Sequence, residues 1–173
     1  MRDSLKKGKH MNVAELLFLG AAAGLGATVI ADLVAVLRQG WAMTHGFYCL
    51  VGRWVGSLAY KGFVHDDIRT SAPVGHEAVL GWGAHIALGV VYGISFAVLV
   101  GPAFFDMPQL WQGLLFGLAT VLVPWFIFQP LFGWGVAMSK APEPWKMRLK
   151  SVINHSVFGL GMWLSAMLLN PIL

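Results

Sequence analysis

Charge is what this chain has least of. Only 12% of its 173 residues are Asp, Glu, Lys or Arg, against 57% hydrophobic, whereas a water-soluble domain carries roughly a quarter charged. That leaves too little polar surface to cover a soluble globule. Cysteine is nearly missing too. Cys49 alone excludes an intrachain disulfide, a CxxC redox pair and a cysteine-based zinc site, and a lone cysteine packs as a small hydrophobe. The net charge of +4 is spread over segment ends and not gathered on one aromatic-studded face, which speaks against a nucleic-acid partner. Catalytic signatures are lacking as well: there is no HExxH, no phosphate loop, no serine on a nucleophile turn and no carboxylate pair in a general-acid setting.

What the chain has instead is apolar length. Four runs, near 13–37, 78–100, 110–138 and 151–169, reach the roughly 20 residues needed to cross about 30 Å of hydrocarbon. The expectation is an all-α integral membrane protein of four spans, with the lipid bilayer as its solvent. Pro124 and Pro130 each remove a backbone donor from the third run, so a bend or break is expected around 124–130. Between the first two runs, residues 46–61 set Phe47, Leu50, Val51, Trp54, Val55 and Leu58 at helical spacing, with Arg53, Ser57 and Lys61 on another face. That is the pattern of an amphipathic helix lying in the membrane interface. His65, Asp66, Asp67, His76 and Glu77 follow in what reads as an exposed loop without diagnostic metal-ligand spacing. Residues 1–10 form a basic tail with Arg2, Lys6, Lys7 and Lys9. It carries no small-residue cleavage site and leads into too long an apolar run for a removable signal peptide.

Four crossings put the loops 38–77 and 139–150 on one side. They hold Arg38, Arg53, Lys61, Arg69, Lys140, Lys146, Arg148 and Lys150, and only the basic tail lies opposite. The positive-inside bias then places both loops in the cytoplasm and both termini on the far, periplasmic side. The tail's charges argue the other way, but they drop out if Met11 is the start.

The spans also repeat. Gly20-x3-Gly24-Leu-Gly-Ala-Thr-Val matches Gly113-x3-Gly117-Leu-Ala-Thr-Val, and His85-x3-Gly89 matches His155-x3-Gly159. Two tandem hairpins in parallel repeat would follow, related by an axis along the membrane normal, with His85 and His155 at equal depth. Gly20, Gly24, Gly89, Gly113, Gly117 and Gly159 are the expected points of close helix approach.

A polar group inside a span is costly and therefore tends to face inward with a partner. Asp32, His85, Gln129, Asn154 and His155 all fall near the end of a span that adjoins the long loops, and Arg53 can reach the same layer. Three readings stay open. The layer can be hydrogen-bonding glue between helices. It can be a site or pathway for a small solute, an ion or a proton, with the histidines exchanging protons and Asp32 as charge partner. Or His85 and His155 can be the two axial ligands of a b-type haem, or bind a metal ion, with Gly89 and Gly159 leaving room for the macrocycle. A chain of four short spans encloses little volume, so a homo-oligomer or a partner membrane subunit is expected in either functional case.

Four motifs in order, Gly52-Arg53-Trp54, Gly81-Trp82 with His85, Gln129-Pro130 before Gly133-Trp134-Gly135, and Asn154-His155 with Phe158-Gly159-Leu160-Gly161, resemble a bacterial family of small inner-membrane proteins known only as a domain of unknown function. The resemblance runs over nearly the whole chain from Met11. It implies a four-span protein of the inner membrane and carries no site residues.

Overall fold

In the computed structural model, which describes residues 11–170, every regular element is helical. The basic tail 1–10 lies outside the described residues. Four helices are long and apolar enough to cross a membrane: α1 (Val13–Gln39), α3 (Glu77–Val100), α4 (Leu110–Leu131) and α5 (Pro144–Leu169). A fifth, α2 (Trp41–Lys61), joins the first two. The protein is an all-α membrane protein.

Local chemistry sets the helix ends. Asn12 and Glu15 make a reciprocal capping box at the start of α1, 2.9 and 3.0 Å, satisfying two of the donors that a helix N-terminus leaves free. Gly40, at φ +85°, turns the chain from α1 into α2. A single turn, Ala103–Asp106, fills the short connection between α3 and α4. Pro144 opens α5 at a first-turn position where no donor is needed.

The third span leaves regular α-helical geometry between its two prolines. Pro124–Phe128 is a π-helical bulge, and α4 closes past Pro130 with Gly133 left-handed at φ +84°. The Trp134 amide reaches back to Gln129 and the Gly133 amide to Pro130, the paired bonds of a glycine-capped helix end. Residues 132–143 are therefore outside the span, although the apolar composition runs on to Met138.

Glycine brings the helices together. Gly24 lies against Gly89 and Gly93, and Gly20 against Gly93 and Ala97, so α1 and α3 touch backbone to backbone. Gly113 and Gly117 meet the backbone of Gly159 and His155 in the same way, joining α4 to α5. Gly161 packs on Ala27, and Gly26 on Ser165, which ties α5 to α1. Between α3 and α4 the space is filled by rings: Tyr92, Phe96 and Phe116 stand edge-on or tilted to one another. Outside, Leu33, Val98, Leu99, Leu115 and Leu168 are exposed, as surfaces facing lipid should be.

The packing contacts also register the two hairpins against each other, with a one-turn offset. Thr28 covers Gly89 in the first, and Thr120 covers His155 in the second. His155 thus stands where the first hairpin has Gly89, not where it has His85. Four residues of helix separate those positions by about 6 Å, so the two histidines do not hold equivalent places in the two hairpins.

α2 docks on the loop end of α3. Its contacts advance in opposite order: Tyr48 beside Gly81 and His85, Gly52 beside Glu77 and Gly81, Gly56 beside Val74 and Leu80. It runs antiparallel to the first turns of α3. The crossing is so close that a methyl on Gly52 would collide with the Glu77 carbonyl, and one on Gly81 with the Tyr48 carbonyl.

Candidate functional site

The six polar residues singled out in the sequence do not join in one hydrogen-bonded network. They divide into separate hydrogen-bonded groups, and the richest is built by three helices. Asp32 comes from α1, one turn past Thr28, and meets His85 of α3 and Tyr48 of α2. The Tyr48 hydroxyl donates to Asp32 Oδ1 at 2.7 Å. His85 Nε2 lies 3.0 and 3.2 Å from the two Asp32 oxygens and 2.9 Å from the Tyr48 hydroxyl.

With Asp32 as a carboxylate, which only accepts, Nε2–H of His85 and the Tyr48 hydroxyl both donate to it. Nδ1 of His85 has no hydrogen-bond partner among the described residues. The Tyr48 ring stacks on the imidazole, centroids 4.2 Å apart. His85 and Asp32 keep 25% and 18% of their side-chain surface, so most of the pair is enclosed.

Around this group stands an aromatic wall. Trp82 packs on Tyr48 at 4.3 Å and stacks with Trp41 at 5.7 Å. Its indole N–H donates to His45 Nδ1 at 3.2 Å. Tyr48, Trp41 and His45 were not among the residues expected from the sequence. The available signal was reciprocal spacing: Tyr48-x3-Gly52 on one helix faces Gly81-x3-His85 on the other.

His155 has a simpler setting. Thr120 donates to the Gly117 carbonyl at 2.6 Å, so its oxygen accepts from His155 Nδ1, 2.8 Å away. No carboxylate joins them. Asn154 pairs with Arg38, 3.0 Å, an arginine the site expectation did not include. Gln129 is buried with its Oε1 unpaired.

Arg53 does not enter the layer. It grips Glu77 through two parallel bonds of 3.0 and 3.1 Å and donates to the Ser71 carbonyl at 3.0 Å. The Glu77 hydrogen bonds hold its guanidinium above its ordinary pKa. Bidentate pairing of this kind fixes geometry as well as charge. Its work is to fasten α2 and the following loop to the start of α3.

The space on which a haem would depend is occupied. Gly89 lies under Thr28, and Gly159 under Gly113. His85 Nε2 is already engaged, and no group of three or more His, Cys, Asp or Glu side chains gathers as a metal cage among the described residues. One nitrogen of each histidine, His85 Nδ1 and His155 Nε2, has no hydrogen-bond partner among the described residues, but neither glycine leaves open space beside it.

No curated protein and no solved structure matches the chain. A family profile does, over residues 21–169, a stretch that takes in all four motifs, the Asp32–Tyr48–His85 group and, Gly20 apart, both glycine crossings. The chain therefore belongs to that family, described as a protein of unknown function, DUF2938.

Proposed function

We propose that this chain is a multi-pass protein of a bacterial inner membrane whose Asp32–His85–Tyr48 group takes up and releases a proton, coupled to movement of a small solute or ion. The observation that carries the reading is the carboxylate–imidazole pair held between two membrane-crossing helices. Ionisable groups inside spans are expensive, and such pairs mark proton relays and ion paths. Asp32 holds Nε2–H, Tyr48 keeps the carboxylate oriented, and Nδ1 of His85 is the nitrogen that accepts the travelling proton.

By the positive-inside argument the site lies near the cytoplasmic face, with both long loops on that side and both termini periplasmic. Asp32 lines neither of the two hollows at the ends of the bundle. A second copy or a partner subunit completes the path.

The test uses purified protein in vesicles holding a pH-sensitive dye. After an imposed acid jump, wild-type protein should collapse the gradient faster than empty vesicles, and Asp32→Asn should not. Equal rates for wild-type and empty vesicles contradict the proposal. A specific observation favours a second reading, in which the group only joins helices: every polar atom of Asp32 and the Tyr48 hydroxyl are satisfied internally. That reading predicts a lower yield of folded Asp32→Asn and no flux in any variant.

A further inference from the structure

Outside the spans, at the loop end, a hollow of about 220 Å³ is lined by Asp66, Asp67, Arg69, Trp134, Met138 and Lys140, with Gly133 and Ala141. It does not belong to the Asp32 group. Two loops build it, and they are fastened to each other by backbone bonds: His65 N–H to the Leu131 carbonyl, 2.9 Å, and Ile68 N–H to that of Phe132, 3.0 Å. Ile68 is fully buried beneath them. Gly133 is required at the seam, because a methyl there would strike the Asp66 carbonyl.

The walls are of mixed charge. Asp67 is saturated: it accepts from the Arg69 guanidinium at 2.6–3.0 Å, from the Arg69 amide and from the Trp134 indole at 3.2 Å. The Arg69 bonds hold its carboxyl down to about 2. Arg69 also lies over the Trp134 ring, 6.0 Å from the centroid. Asp66 and Lys140, by contrast, are exposed and have no side-chain partner among the described residues. The far wall is strained: Ala137 and Met138 both take left-handed backbone angles, φ 47° and 58°, and the Ala137 carbonyl is held by Arg148 Nε at 2.8 Å. Non-glycine residues in that region cost energy and persist where the surroundings enforce them, commonly at binding sites.

We propose that this hollow binds a zwitterion carrying a phosphate and a primary ammonium, the chemistry of a phosphoethanolamine headgroup. Lys140 and the outer face of Arg69 meet the phosphate, and Asp66 meets the ammonium. Asp67, already committed, keeps Arg69 aimed. The loops adjoin the ends of α3, α4 and α5, the depth at which lipid headgroups lie, so a phospholipid supplies this chemistry in place. A quaternary choline offers no N–H to Asp66 and should bind more weakly; a glycerol headgroup leaves Asp66 facing no cation.

Native mass spectrometry of the delipidated protein in detergent, titrated with short-chain phosphatidylethanolamine, phosphatidylcholine and phosphatidylglycerol, tests this. Phosphatidylethanolamine should bind about tenfold tighter than either other lipid, the equivalent of about 1.4 kcal/mol. Lys140→Gln should weaken all three, and Asp66→Asn should erase the preference over phosphatidylcholine. Both side chains are exposed, so folding is unaffected, which an unchanged melting temperature in detergent would verify. Free O-phosphoethanolamine is added as a competitor. Displacement of the lipid supports the shared site, while binding of the free phosphate ester without any lipid binding assigns the same pocket to a soluble ligand. Equal binding of all three lipids, unmoved by either substitution, overturns the proposal. None of these readings depends on proton flux.

Discussion

In the first hairpin, Gly24 lies against Gly89 and Gly93; in the second, Gly117 lies against the backbone of His155 and Gly159. The two crossings are made by the same means, yet their polar loads differ. One turn beyond its crossing the first hairpin holds a histidine bonded to a carboxylate and a phenol, and has a further helix packed over it. The second holds its histidine at the crossing itself, with only a threonine hydroxyl for company. Glycine packing thus makes a helix pair without specifying what the pair carries. The charge partner and the covering helix α2 turn one of the two into a candidate site.

The largest effect should come from the contact that the second hairpin lacks. Gly52→Ala and Gly81→Ala each drive a methyl into a backbone carbonyl, and such overpacking costs about 3 kcal/mol or more where backbone must shift. Fluorescence-detected size exclusion of a tagged protein should show little folded material for either, and a normal peak would mean that α2 is not docked as described. Gly24→Ala and Gly117→Ala come next and should resemble each other. Each meets backbone across its crossing, at a cost of about 1–3 kcal/mol. Unequal melting temperatures for this pair would break the likeness of the two crossings.

A smaller effect on folding, and a larger one on activity, is expected at the polar groups. Intramembrane hydrogen bonds average about 0.6 kcal/mol and reach about 1.7, so Asp32→Asn and Thr120→Val should both fold. The smallest effect lies outside the spans. His65, buried between Ser57 and Ser71 at 3.1 and 2.9 Å, is pushed below its ordinary pKa by burial and by Lys61. The unfolded chain binds that proton near pH 6.5 and the folded chain only at lower pH. Stability of the loop is therefore full above that range and is lost as pH falls through it. The protection factor at Ile68, its exchange rate relative to the intrinsic rate at the same pH, should fall with acid in wild-type protein, and the fall should be blunted in His65→Gln.

Much of this architecture was legible in the sequence because it rests on local rules. The length of the apolar runs named four spans, GxxxG spacing marked glycines that lie against a neighbouring backbone, and two prolines bracket the stretch where α4 turns π-helical. What the sequence could not give was pairing across helices. Arg53 looked like a member of the intramembrane layer, but its bidentate partner Glu77 starts α3 and draws it into the loop. Tyr48 did not stand out in the sequence, since only the docking of α2 turns its hydroxyl toward Asp32. The one-turn offset was equally hidden. Matching His85-x3-Gly89 to His155-x3-Gly159 aligns letters, whereas place in the hairpin is set by which residue the neighbouring helix touches.

The most direct test of the difference between the hairpins is the rate at which an imposed pH gradient decays in vesicles carrying wild-type, Asp32→Asn, His85→Gln, their double variant, Thr120→Val and His155→Gln proteins, measured side by side. Asp32 and His85 should act as one unit: each single variant should lose the protein-dependent rate, and the double variant should be no worse. Thr120→Val should keep most of it. Full rates in Asp32→Asn with loss in His155→Gln and Thr120→Val would contradict the account and move the site to the second hairpin.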